Sequence, residues 1–335
     1  MTDTSEGAAG SHRAGSAVGV RHLRVAADAA GQRVDNFLLA QLKGVPRSLV
    51  YRLLRRGEVR VNKGRAKPQQ RLVAGDEVRI PPVRTAESMT PVAPPAGLRA
   101  ELAARVLYED DGLLVLDKPA GLAVHGGSGI AHGVIEALRA AQSDAAPGAS
   151  LELVHRLDRD TSGCLIVAKR RSALRFLHAQ LRSGQVYKRY QALLLGTLAG
   201  RVQRVDLPLR KHLLQGGERM VRVDRAAGKP ALTVFRRVAA YGGVTLADIE
   251  LHTGRTHQIR VHSASIGAPV AGDEKYGRAE DRAVVRALGL QRLFLHAAEL
   301  RFRPHEDAPP VTVTAPLPLE LEAVVQRAEA SARAL

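Results

Sequence analysis

A short polar stretch over residues 153–169 holds the side chains of this sequence that are best suited to covalent chemistry. It reads L-V-H-R-L-D-R-D-T-S-G-C-L-I-V-A-K. Asp158 lies between Arg156 and Arg159, and nearby cations favour the ionised form of a carboxylate. A positioned carboxylate can act as a nucleophile or as a general base. The apolar run from Cys164 to Ala168 has the length and composition of a buried strand, so we predict a reactive loop held by its flanking strands.

Two later stretches also carry side chains suited to a polar site. One is K-R-Y-Q-A, from Lys188, and the other is H-T-G-R-T-H-Q-I-R-V-H, from His252 to His262. Its three histidines are five residues apart and would lie on different faces of a helix, which argues against a zinc site. The single cysteine, Cys164, can form no internal disulfide and no cysteine metal cluster, so we predict that it packs in the core.

The string H-R-L-D-x-x-T-S-G, followed by an apolar strand, resembles the catalytic-loop motif of the RluA-type pseudouridine synthases. The resemblance implies that Asp158 is the essential catalytic carboxylate and that Arg156 takes the place of the uridine as it leaves the helix. The stretches K-P-x-G-x-x-V-H from Lys118, K-x-Y-x-A and T-G-R-x-H-Q-I-R-V-H resemble further motifs of this family. They imply that Tyr190 is the active-site tyrosine, a candidate for stacking on the base and for handling the C5 proton, and that Arg260 pairs with Asp158.

The implied reaction fits a site without a metal or a cofactor. Converting uridine to pseudouridine breaks the bond between C1′ and N1 and forms one between C1′ and C5, with no redox step. A stacked uridine must first be flipped out of its helix, at a cost of about a few kcal/mol. We therefore expect an enzyme that isomerises specific uridines by base flipping and by Asp-dependent cleavage and re-formation of the glycosidic bond. The resemblance implies that its substrate is large-subunit (23S) ribosomal RNA.

Two other functions remain open at this point. A glycoside hydrolase would need a second acid at a defined separation, and Asp160 is the only local candidate. A non-catalytic RNA-binding or ribosome-assembly protein could keep the same scaffold. The presence of Asp158, Tyr190 and Arg260 together favours the enzyme.

The charge of the chain points to a polyanionic partner. Fifty Lys and Arg residues against 33 Asp and Glu give a formal net charge of +17 and a pI near 10.8. Such a balance is typical of nucleic-acid-binding proteins. No stretch approaches the length of a spanning helix, and the N-terminus lacks an apolar signal core. We predict a cytoplasmic monomer that binds RNA, with no membrane association and no obligate protein partner.

Much of this charge lies near the N-terminus, where residues 33–84 hold 13 basic and four acidic residues. Apolar spacing predicts two helices followed by short strands. The string R-V-D-N-F-L... V-P-R-S-L-V-Y-R-L-L-R-R-G-E-V-R-V-N resembles the ribosomal protein S4 type of RNA-binding domain. Basic side chains clustered in one small module favour phosphate contacts. The predicted contacts are Arg47, Arg52, Arg55, Arg56 and Lys63.

These observations predict an α+β protein with two domains. Residues 1–20, rich in Gly, Ala and Ser, are predicted to be a disordered tail. Residues 21–84 form the small basic helix-helix-strand domain, and the Pro-rich residues 85–100 form a linker. Residues 101–335 form the catalytic domain, a larger mixed and mostly antiparallel sheet of pseudouridine synthase type.

Overall fold

The computed structural model divides the chain into two units, Met1–Val92 and Ala93–Leu335. The residues that it describes are 19–42, 45, 47–83, 94–126, 132–145, 151–213 and 219–334. All but the last two residues of the predicted tail, and residues 85–93 of the predicted linker, lie outside the described residues.

The N-terminal unit packs two helices against a four-stranded antiparallel sheet. Its elements are β1 (Arg21–Arg24), α1 (Val34–Gln41), α2 (Arg47–Arg56), β2 (Arg60–Val61), β3 (Gly64–Arg65) and β4 (Glu77–Ile80), with strand order β1, β4, β2, β3. Leu38 of α1, Leu53 and Leu54 of α2 and Val78 of β4 share one buried core. The predicted order of helix, helix and strand is confirmed.

The C-terminal unit is larger and contains most of the strands. Its strands are β5 (Val106–Glu109), β6 (Leu113–Lys118), β7 (Glu152–Leu153), β8 (Ser162–Ala168), β9 (Tyr187–Leu195), β10 (Val202–Asp206), β11 (Leu209–Leu213), β12 (Arg219–Val223), β13 (Leu232–Tyr241), β14 (Val244–Leu251), β15 (Leu295–Phe302) and β16 (Val311–Thr314). Its helices are α3 (Ala96–Ala103), α4 (Val134–Ala145), α5 (Arg171–Arg182), α6 (Gln258–Ser265), α7 (Arg282–Ala287) and α8 (Leu319–Arg333).

Ten of these strands form one mixed sheet, and β11 pairs with β12 in a separate hairpin. The order is β10, β13, β14, β9, β15, β8, β6, β5, with β16 added beside β15 and β7 beside β8. All neighbours are antiparallel except β15 and β8. The mostly antiparallel sheet predicted from the sequence is confirmed.

Helices cover both faces of the sheet, and β8 contributes to both cores because its side chains alternate. Leu165 packs in the core that includes residues of α3 and α4. Cys164 and Ile166 pack in the core that includes Leu177 of α5. The predicted buried strand is confirmed, since every residue of β8 is buried. Burial raises the pKa of the Cys164 thiol to about 12, in keeping with a packing role.

Helix α3 begins at Ala96, inside the segment 85–100 that the sequence predicts to be a Pro-rich linker. The prolines that suggested a linker come before the helix, and Pro95 occupies its N-cap position. Proline is tolerated at the start of a helix, where the first N–H groups have no intrahelical acceptor. Leu102 of this helix is fully buried in the main core. Residues 96–100 of the predicted linker are therefore part of a helix that packs in this core.

Gly163 allows β15 to approach β8 closely at the end of the reactive loop. Its φ is +104°, and a Cβ placed there would lie 2.3 Å from the carbonyl oxygen of Ala297, its partner in the parallel pair. Glycine alone combines this backbone conformation with the absence of a side chain. The glycine that ends the T-S-G string is thus required by strand packing.

We expect Gly163→Ala to destabilise the C-terminal unit by about 3 kcal/mol or more, because backbone strain and overpacking add. The matched control is Gly184→Ala, where φ is +72° but a Cβ would meet open space. Strain alone should cost about 1–2 kcal/mol there. Thermal unfolding of both variants measures the difference. Equal losses would show that the approach of β15 is not the constraint.

Candidate active site

Asp158 lies in the loop that connects β7 to β8, and hydrogen bonds fix the backbone of this loop. The Thr161 N–H donates to the Asp158 carbonyl at 3.2 Å, which closes a four-residue turn. The N–H of Val154, before the turn, donates to the carbonyl of Ile166 in β8 at 3.1 Å. The carboxylate is therefore presented by a turn that is bonded at both ends.

Lys118, the first residue of the K-P-x-G stretch, ties a second segment to this loop. Its buried ammonium donates to the carbonyls of Pro119 at 2.7 Å, Leu122 at 2.8 Å and Arg159 at 2.9 Å. Burial lowers the pKa of Lys118 to about 7, opposed by the charges of Asp160 and Asp158. The three acceptors use all three ammonium protons, so this geometry favours the charged form. The K-P-x-G stretch therefore anchors the reactive loop.

Ser162, at the start of β8, anchors the other end of the loop. Its hydroxyl lies 2.9 Å from Nδ1 of His296, and Nε2 of that ring lies 3.2 Å from the carbonyl oxygen of Ala315. A carbonyl can only accept, so Nε2 carries the proton and Nδ1 accepts from the serine. Arg292 Nη2 donates to the serine oxygen at 3.2 Å. This buried network joins the loop to β15.

The charged neighbours of Asp158 in space differ from its neighbours in sequence. Arg159 pairs with Asp160, Nε to Oδ1 at 3.0 Å, and Arg156 is exposed. The cation beside Asp158 is Arg260 of α6, whose Nη1 lies 3.6 Å from Asp158 Oδ2. His257 Nε2 lies 3.9 Å from the other carboxylate oxygen. The structure thus brings together Asp158 and Arg260, which the family resemblance had paired.

Arg260 is itself held by a second carboxylate. Its Nε and Nη2 donate to Asp273 at 2.7 and 2.8 Å, a bidentate pair in which the Asp273 side chain is fully buried. Asp273 Oδ1 also accepts from the backbone N–H groups of Lys275 and Tyr276 at 2.9 and 3.0 Å. A bidentate pair fixes the plane of a guanidinium. Nη1 is therefore directed at Asp158.

His257 is the N-cap residue of α6 and adopts a left-handed conformation, with φ +52° and ψ +23°. Its Nδ1 lies 2.8 Å from the hydroxyl oxygen of Tyr276, which accepts from the Val221 N–H at 3.1 Å. With that bond accepted, the hydroxyl proton is free to be donated to Nδ1, which leaves the imidazole proton on Nε2. His257 then presents an N–H to Asp158.

A cavity of about 90 Å³ lies above these groups. Its lining includes Arg156, Asp158, Tyr190, Leu251, His257 and Arg260. Tyr190 of β9 is buried, and burial, with the charge of Asp158 as a smaller cause, raises the pKa of its hydroxyl well above the usual value. The hydroxyl is therefore protonated near neutral pH. The four residues predicted for the catalytic domain all line this one cavity.

The residues predicted to bind RNA in the N-terminal unit lie on its surface. Arg52, Arg55 and Arg56 are exposed on α2, on the side opposite to its buried leucines. Lys63 is exposed in the turn between β2 and β3, with φ +66°. The side chain of Arg47 lies outside the described residues.

The structure also bears on the two other uses considered for acidic and histidine side chains. Asp160, the candidate second acid, pairs with Arg159 and does not line the cavity. His262 is buried, and its two ring nitrogens form hydrogen bonds with Thr233 Oγ1 and with the Leu207 carbonyl oxygen, each at 2.9 Å. Neither nitrogen is therefore available to bind a metal ion. Within the described ranges, no three His, Cys, Asp or Glu side chains are grouped so that they could hold a metal ion. No described helix is both long and apolar enough to span a membrane.

Four residues of this site were given no role from the sequence. In the sequence His257 suggests only a possible metal ligand, and Lys118 is only the first residue of a family motif. Asp273 ends the string P-V-A-G-D, which resembles a block of the same family but suggests no function by itself. Tyr276 had no signal, because its role depends on Val221 and His257 from distant parts of the chain.

Comparisons with known proteins agree with the geometry. The sequence model for RNA pseudouridylate synthase matches residues 112–265, and that for the S4 domain matches residues 32–78. Ribosomal large subunit pseudouridine synthase C of Escherichia coli (strain K12) is 53% identical over 311 residues, which cover 92% of this chain and 96% of the relative. The Yersinia pestis protein of the same name is 51% identical over 90% of this chain and 93% of its own length.

Solved structures give the same result for the fold. Human RNA pseudouridylate synthase domain containing 4 is similar with a TM-score of 0.58 and 25% identity, over 69% of this chain and 95% of the human one. Human RNA pseudouridylate synthase domain containing 1 gives a TM-score of 0.53 and 27% identity, over 65% and 86% of the two chains.

The contact between His257 and Asp158 can be tested by nuclear magnetic resonance. Burial lowers the pKa of His257 below its usual 6.5, and the charge of Asp158 opposes that shift. Removing this charge in Asp158→Asn should lower the pKa of His257 further, measured by titrating the imidazole signals. The matched control is Asp160→Asn, two residues away and outside the cavity, which should leave this titration in place. An unchanged His257 titration in Asp158→Asn would contradict the contact.

Proposed function

The chain belongs to the RNA pseudouridylate synthase family, and on this premise we propose that it converts specific uridines of large-subunit ribosomal RNA to pseudouridine. The protein is a pseudouridine synthase. The choice of substrate is supported by the names of relatives that are more than half identical over nine tenths of the chain. The observation that carries the mechanism is the carboxylate of Asp158 in a small cavity, with Arg260 fixed beside it.

In the proposed reaction Asp158 acts at the sugar, either as the nucleophile at C1′ or as the base at C2′. The bond between C1′ and N1 breaks, the base turns, and C5 bonds to C1′. The C5 proton is lost and N1 gains one, so the product is an isomer of the substrate. An ionised carboxylate away from bulk water is costly without support. Arg260 Nη1 and the Nε2–H of His257 supply that support on opposite oxygens.

Tyr190 is proposed to pack against the base while it turns. It lines the cavity together with Leu251, and both present surface suited to a planar ring. Because the pKa of its hydroxyl is raised, Tyr190 is a poor base for the C5 proton. The stacking part of the predicted role is retained, and removal of the C5 proton by this hydroxyl is not proposed.

Arg156 is proposed to fill the space that the flipped uridine leaves. Its side chain is exposed at the rim of the cavity, two residues from Asp158, where it can enter an RNA helix as the base enters the cavity. A planar cation can also stack on the neighbouring bases. This contact would offset part of the cost of flipping.

The N-terminal unit is proposed to supply affinity for RNA. Its exposed arginines on α2 can contact phosphates, which adds binding energy without sequence choice. We further propose that the protein acts in the cytoplasm as a monomer, on ribosomal RNA or its assembly intermediates. A formal charge of +17 disfavours close association of two free copies.

We expect Asp158→Asn to abolish pseudouridine formation while RNA affinity stays within about threefold of the wild type, since an amide can neither attack C1′ nor take a proton. Pseudouridine mapping of ribosomal RNA from cells that lack the protein, complemented with either version, measures the outcome. Asp160→Asn is the matched control and should restore every site.

Two results would contradict this proposal in different ways. If deletion leaves the pseudouridines of large-subunit RNA unchanged, that substrate is wrong. If the deletion strain regains pseudouridine with Asp158→Asn, the mechanism is wrong.

Replacing Arg52, Arg55 and Arg56 together by Gln should weaken RNA binding and reduce its salt dependence. Each lost phosphate contact lowers the slope of log affinity against log salt by about 0.7–0.9, so the expected decrease is about 2 to 3. Filter binding between low and physiological salt measures it. The control replaces Arg21, Arg24 and Arg71, which are in the same unit but off α2, by Gln. An equal decrease in the control would assign the effect to net charge rather than to α2.

A further inference from the structure

A second cavity of about 680 Å³ adjoins the cavity around Asp158 and has no part in the reaction described above. The two cavities share wall residues, among them Arg156, Tyr190 and Leu251. Its size falls within the range of about 300–1,000 Å³ that is typical of pockets for small molecules. A group bound there would therefore lie directly beside the target base.

The lining of this cavity is positively charged. Arg156, Arg182, Lys188 and Arg255 contribute to it, and no carboxylate does so among the described residues. Such an imbalance favours an anionic occupant.

Lys188 is the cation of this lining that most clearly lacks an acidic partner among the described residues. It lies two residues before Tyr190 on β9, and both side chains line the cavity. Burial lowers the pKa of Lys188, and no acidic side chain among the described residues opposes this shift. Arg189, the next residue, points to the other face and pairs with Asp248 at 3.1 Å and Glu299 at 3.0 Å. A partly buried cation with no counter-charge in the described part of the chain is costly unless a ligand supplies one.

The remaining walls suit a flat, uncharged group. Leu181 and Leu251 are apolar. Burial lowers the pKa of His155 to about 4, so its ring is neutral, and its Nε2 accepts from the Ile166 N–H at 3.0 Å. His178 is held by its Nε2, which donates to the Val154 carbonyl at 3.0 Å. The neutral ring of His155 and the leucine side chains can pack against a nucleobase.

We propose that this second cavity binds the nucleotide next to the target uridine in the RNA strand, with its phosphate at Lys188 and its base against Leu181 and the ring of His155. The inference rests on the proposed function, because it takes the Asp158 cavity as the place of the target base. It adds a recognition site for a neighbouring nucleotide. Arg182, exposed on α5 at the entrance, is the second phosphate contact.

The test combines protein variants with chemically modified RNA. Short RNA substrates carry a neutral methylphosphonate at one linkage at a time on either side of the target uridine. Binding and single-turnover rates are measured for the wild type, Lys188→Met and Lys188→Arg. Lys169→Met is the control, because Lys169 pairs with Glu109 and does not line either cavity.

A neutral methylphosphonate should weaken binding strongly at only one of the linkages tested. We expect the wild type to lose roughly tenfold in affinity when that linkage is neutral, as for the loss of a charge-assisted contact. Lys188→Met should lose the same on natural RNA and nothing more on that modified RNA, since both changes remove one contact. Lys188→Arg should retain the effect of that linkage, because it keeps the positive charge. Lys169→Met should respond to every linkage as the wild type does.

The inference is overturned if the losses from Lys188→Met and from every neutral linkage simply add. If Lys188→Met does not fold, Arg182→Gln at the exposed entrance takes its place in the same comparison. Failure of the proposed function looks different. RNA from other sources would then be the substrate, while the coupling between Lys188 and one linkage would persist on that RNA.

Discussion

The geometry of the site depends on the buried guanidinium of Arg260, which binds Asp273 closely and Asp158 more loosely. Asp273 takes two hydrogen bonds from Arg260 at 2.7 and 2.8 Å, whereas Asp158 lies 3.6 Å from the remaining nitrogen. A buried cation without a partner would be destabilising, and Asp273 meets that need whether or not Asp158 is ionised. Asp158 is left with electrostatic support but without a bidentate pair of its own. This suits a carboxylate that must form or release a bond during the reaction, because a tightly paired one would be a weaker nucleophile.

The parts of this arrangement come from three distant segments, and the sheet sets their spacing. The close contact of β8 with β15 fixes the end of the Asp158 loop. Lys118, at the end of β6, donates a hydrogen bond to the Arg159 carbonyl within this loop. At the other side, His257 adopts a left-handed conformation, which costs a residue other than glycine about 1–2 kcal/mol. This conformation makes the chain turn sharply into α6, and the turn places His257 near one carboxylate oxygen of Asp158 and Arg260 near the other.

Local patterns in the sequence were sufficient to predict helices and strands, but not to predict which side chains contact one another in the site. A continuous apolar run predicted β8, and helical spacing predicted α1 and α2, because both patterns depend on residues close in the chain. The resemblance placed Asp158, Tyr190 and Arg260 in one site. Asp273 and Tyr276 could not be found in this way, since their roles arise only when α6 packs against the segment after it. Neighbours in the sequence were also a poor guide to ion pairs. The turn directs Arg159 to Asp160, and the cation beside Asp158 is Arg260, about a hundred positions later.

The distribution of charge separates affinity from chemistry. The N-terminal residues 33–84 carry a surplus of nine positive charges, and the arginines of α2 are exposed to solvent. Salt screens such charges over about 8–10 Å, so binding through them weakens as ionic strength rises. Arg260 and Asp273 are buried and are screened much less. A change in salt should therefore alter how much RNA is bound far more than how fast bound RNA reacts, which is what two units with separate cores allow.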